Sequence, residues 1–95
     1  MIIDRLDDSI NGLEYTIRDV EKNGQSRKGT GFELDNGCRE VFYIFIEGVR
    51  CSPEKYERYT RRVVNVMVKA RSLARGEHAR YIGKKIRIIE ELLDV

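Results

Sequence analysis

The sequence predicts an α+β domain in which an N-terminal helix leads into a three-stranded antiparallel β-meander and then two C-terminal helices. Three observations carry that expectation. In the first twenty and the last forty residues, apolar side chains recur at alternating steps of three and four, the spacing of a single helix face. A six-residue run, Val41-Phe42-Tyr43-Ile44-Phe45-Ile46, is β-branched and aromatic and lies between turn residues, as a strand buried on both faces would. The chain has 95 residues, 41% of them hydrophobic and 36% charged, enough for one small domain with a limited core.

Residues 1–24 make the first helix. Ile3, Leu6, Ile10, Leu13, Ile17 and Val20 keep the three-four alternation without a miss, against a shorter strand-like alternation at Leu13, Tyr15 and Ile17. Asp4, Asp7 and Asp8 favour the positive end of its dipole, and Asn23-Gly24 suits its exit. Gln25 to Gly31 reads as a polar connector. The meander is expected over 28–51: Phe32-Glu33-Leu34 alternates, Asp35-Asn36-Gly37 signals a tight turn, and Val49 to Cys51 follows Glu47-Gly48 as a third strand.

The basic half, 52–95, opens with Ser52-Pro53-Glu54, a helix cap, a first-turn proline and an acid near the dipole. Tyr56, Tyr59, Val63, Val66, Ala70 and Leu73 form one stripe; Ala79, Ile82, Ile86, Ile89 and Leu93 form the next. The step of six between Leu73 and Ala79 breaks the phase, which predicts a bend or tight turn at Gly76.

Charge divides this half. The chain carries net +2, but residues 50–87 hold twelve Lys or Arg against three Glu, a local balance of +9. With Ile3 at heptad position a, Asp7, Glu14 and Glu21 fall at e; with Tyr56 at a, Lys55, Arg62 and Lys69 fall at g. Opposite charges beside two apolar seams predict that the first helix and the helix after Pro53 lie parallel. The cations outside this pattern are Arg58, Arg61, Arg71, Arg75, Arg80, Lys84, Lys85 and Arg87. They are the candidate contacts to an anionic partner, first of all nucleic acid held by its phosphates, or a nucleotide-like ligand. The alternative use of such a face is simple solvation. The acidic tail of Glu90, Glu91 and Asp94 is expected to answer basic residues elsewhere in the chain.

Val64, Met67 and Val68 extend the apolar surface of the helix after Pro53 beyond one stripe, either into the core or as an interface in a homo-oligomer, most simply a dimer. A self-associating inhibitor or adaptor is therefore the alternative function. Catalysis and cofactors are not expected. His78 is the only histidine, Cys38 and Cys51 are far apart in sequence, and no metal-ligand spacing or nucleophile motif is present. The N-terminus lacks a secretory pattern and no run of about twenty apolar residues occurs, so a cytoplasmic protein with free thiols and no membrane contact is expected.

Overall fold

A computed structural model of the chain describes residues 2–23 and 30–92. Among these, every residue except Ser52, Ala74 and Arg75 is helical, and no strand occurs. Most of the polar connector read at 25–31, and Leu93 and Asp94 of the C-terminal stripe and tail, lie outside the described residues.

Helix α1 spans Ile2–Asn23 in one piece. Leu6, Ile10, Leu13, Ile17 and Val20 are all buried, so the three-four stripe is its core face. Gly12 sits on the exposed side, where it interrupts no packing.

The predicted meander is a second long helix, α2, spanning Thr30–Cys51. The correction has a physical cause. Leu34, Cys38, Val41 and Phe45 recur at steps of four, three and four and are fully buried, with Phe42 and Ile44 widening the stripe. A helix touched by α1 and by every later helix can be apolar around most of its girth, and a short window of it then looks like a buried strand. Burying large apolar side chains yields about 1.5–3 kcal/mol each. The glycines at 37 and 48 cost about 1 kcal/mol each as helix residues. Packing wins over the local turn signal of Asp35-Asn36-Gly37.

Those glycines are also the places where the helices approach closely. A β-carbon at Gly37 would lie 2.9 Å from the Leu13 side chain of α1, and one at Gly48 would clash with the ring of the buried Tyr56. Proline at 53 then ends α2, because it disfavours helical geometry in the residue before it. Ser52 accordingly adopts φ −149°, ψ 72°. Its hydroxyl makes no capping bond, contrary to expectation. Its backbone does the joining instead: the Ser52 N–H donates to the Gly48 carbonyl at 2.8 Å, and the Ser52 carbonyl accepts from the N–H groups of Lys55 and Tyr56.

The helix expected from Pro53 to Arg75 is broken into three parts. A single turn, α3 (Pro53–Tyr56), passes through a 3₁₀ turn (Glu57–Tyr59) into α4 (Thr60–Leu73). Val63, Val66, Met67 and Ala70 carry its core face. The phase break at Gly76 is a tight turn. Ala74 leaves α4 extended, its N–H still donating to the Ala70 carbonyl, and Gly76 takes φ +61°, a left-handed conformation open to glycine, before α5 (Gly76–Leu92) begins. Ile82, Ile86 and Ile89 bury the inner face of α5.

The direction of each helix follows from its contacts. Gly37 meets Leu13, and Glu33 shares a small cleft with Asp19, so α1 and α2 are antiparallel. His78 lies beside Gly31 and Asp35, while Ile88 and Leu92 share a cleft with Val49 and Arg50, so α2 and α5 are parallel. Helices α1 and α5 each pack against both α2 and α4.

Helices α1 and α4 run parallel, as the charge pattern predicts. Arg62 donates to Asp7 at 3.0 Å and to the Asn11 side-chain oxygen at 3.2 Å, and lies 3.6 Å from Glu14. Further along the same seam Lys69 and Glu21 line one cleft.

Candidate nucleic-acid interface

The α4–α5 hairpin divides the eight candidate cations. With its core face on Val63, Met67 and Ala70, α4 turns Arg71 toward the α5 side and Arg61 outward, while Arg75 lies in the connector after it. With its core face on Ile82, Ile86 and Ile89, α5 turns Arg80 and Arg87 outward on the α4 side and Lys84 directly outward. All six are exposed.

Gly83 is the point where the two sets meet. A β-carbon built there would lie 3.6 Å from the Arg71 side chain, so the aliphatic stem of Arg71 crosses onto α5 over a residue with no side chain. Arg80 and Arg87 are the helical neighbours of Gly83 at three residues before and four after, and Lys84 is the next residue. Three cations, Arg71, Arg80 and Arg87, thus border one spot, Lys84 lies outward beside them, and Arg75 enters from the connector. None of these five forms an ion pair with a described residue.

Two candidates belong elsewhere. Arg58 lies in the 3₁₀ turn ahead of α4. Lys85 is half-buried on the opposite edge of α5, toward α2, where its charge acts on the Cys38 thiol. Of the candidate oligomer contacts, Met67 is fully buried inside the chain and Val64 packs partly against the core, leaving only Val68 exposed, at 37%. No self-association through Met67 is possible without opening the core.

A buried polar cluster joins α2 to α5, and sequence reasoning missed it. Asp35, only 5% exposed, has its Oδ2 3.2 Å from Nδ1 of His78, and its Oδ1 is buried without a hydrogen-bond partner. Gly31 makes the room, since a β-carbon there would lie 2.8 Å from the imidazole ring. One turn along α2, burial pushes the Cys38 thiol up to about 12, assisted by the nearby Asp35 charge and opposed by Lys85. A thiol held protonated in this way is no nucleophile at neutral pH. Among the described residues no group of three His, Cys, Asp or Glu is placed to hold a metal ion. The only signals in the sequence were Asp35 and His78 themselves, 43 positions apart and each explicable locally.

No family model, curated protein or solved structure matches the chain. Among the described residues no helix is long and apolar enough to cross a membrane.

Proposed function

We propose that the chain is a binding protein for an anionic polymer, nucleic acid held through its backbone phosphates, and that the α4–α5 face makes the contact. The observation that supports it is the cluster around Gly83: Arg71 crosses onto α5 there between Arg80 and Arg87, with Lys84 outward beside them, and none has an acidic partner among the described residues. Like charges gathered on one surface repel one another, and a polyanion relieves that repulsion while releasing its own counterions. Arg75 and Arg61 lengthen the face, Arg61 lying about 15 Å from Arg71 along α4 at 1.5 Å per residue.

Contacts of this kind position a backbone and carry no base sequence. Affinity for unrelated duplexes of equal length is therefore expected to be similar, and to fall steeply with salt. Fluorescence anisotropy with a labelled duplex, titrated across a salt series, measures both. The double variant Lys84→Glu, Arg87→Glu should reduce affinity at least about a hundredfold at low salt. The absence of salt-sensitive binding to either DNA or RNA below about 100 mM salt would overturn the reading. The role assigns no reaction or cofactor, and we place it in the cytoplasm, where the free Cys38 and Cys51 would stay reduced.

A further inference from the structure

The outer edge between α2 and α5, away from the basic face, carries an unpartnered apolar cleft of about 670 Å³. Phe42, Tyr43, Ile46 and Val49 line it from α2, and Ile88 and Leu92 from α5. Tyr43 is 60% exposed, Ile88 48% and Leu92 55%. Three of the largest exposed apolar side chains therefore share one site, which marks an interaction surface on a chain of this size. Glu47 and Arg50 also line the cleft, and neither forms an ion pair with a described residue although they are three apart on one helix.

We propose that this cleft binds a second copy of the chain in a two-fold dimer. The charges select that occupant. A surface with one acid and one base beside an apolar strip is complementary to itself under a two-fold rotation. With the axis between Gly48 and Val49, antiparallel pairing of α2 with the partner's α2 sets Glu47 opposite the partner's Arg50, and Arg50 opposite the partner's Glu47. Tyr43 lies about 8 Å along α2 from that axis, and with Ile88 and Leu92 it belongs to the apolar strip that the two copies cover in each other.

Val64, Met67 and Val68 play no part in this interface. The dimer leaves Arg80 and Arg87 open to nucleic acid, because α5 turns Ile88 and Leu92 toward α2 and those two arginines toward α4, with Lys84, one turn before Ile88, between the two faces.

Sedimentation of the full chain over a micromolar concentration series tests the proposal. The wild type should reach twice the chain mass, and Ile88→Ser should raise the dissociation constant at least about tenfold. Glu47→Arg and Arg50→Glu, both at exposed positions, should each weaken the dimer about tenfold, and the double charge swap should restore it to within about threefold. A chain that stays monomeric throughout, or a swap that fails to restore association, overturns the proposal.

Discussion

At the scale of single residues, glycines and one cysteine show what the fold demands. Gly48 and Gly12 are both interior helix residues, yet they should respond oppositely to the same substitution. At Gly48 a methyl group has no space, because the Tyr56 ring occupies it and Tyr56 is itself buried. Gly48→Ala is expected to destabilise by roughly 2–3 kcal/mol. At Gly12 nothing lies within 4 Å, so Gly12→Ala should stabilise by about 0.5–1 kcal/mol through helix propensity alone. Urea denaturation of the two variants reads both signs. Cys38 offers a test by reagent and by pH. In the native protein an alkylating agent should label the exposed Cys51 quickly and Cys38 only after unfolding. The folded-state thiol keeps its proton up to about 12, whereas the unfolded one loses it near the ordinary value of 9.0. The contribution is therefore fully present below pH 9 and declines as pH rises from there toward 12. Cys38→Ala should show a shallower loss of stability over that window than the wild type.

At the scale of elements, the sequence was informative where a helix has one clear apolar face and silent where it has several. Helices α1 and α5 declare themselves because Leu6 to Val20 and Ile82, Ile86 and Ile89 keep an unbroken three-four stripe with mostly polar residues around it. The parallel pairing of α1 and α4 was legible too, since Arg62 answers Asp7 and Glu14 while Lys69, one heptad later, lies beside Glu21. Helix α2 was not legible. Its apolar girth and its two mid-helix glycines are consequences of neighbours on three sides, and local propensity carries no information about neighbours. The candidate cations were legible as a list but not as a place: only the packing of α4 on α5 brings Arg71 over Gly83, an unremarkable residue in the sequence. The Asp35–His78 link was invisible for the same reason, because it exists only once α2 is a helix parallel to α5. Removing the imidazole strands a buried carboxylate, so His78→Ala should cost about 1–3 kcal/mol. The double variant His78→Ala, Asp35→Asn should cost less than the two single changes added together, since the pair is coupled. Thermal melts of the four species complete that cycle.

At the scale of the whole molecule, α5 is the shared element, carrying the apolar cleft on its α2 edge and the basic ridge on its α4 edge. If both proposals hold, a dimer presents two copies of the Gly83-centred cluster on one particle, and a duplex long enough to touch both is bound with the second contact made effectively intramolecular. The salt dependence then reports the number of clusters engaged, because the slope of log affinity against log salt scales with the phosphates neutralised, about 0.9 for each on duplex DNA. Ile88→Ser separates the faces without changing any charge. It should leave each cluster intact, lower affinity for a long duplex by about 10²–10⁴, and cut the salt slope to about half. On a duplex too short to bridge two clusters, the wild type and Ile88→Ser should bind with equal affinity and equal slope. An equal slope on the long duplex as well would mean that one cluster acts at a time and that dimerisation serves something other than nucleic-acid affinity.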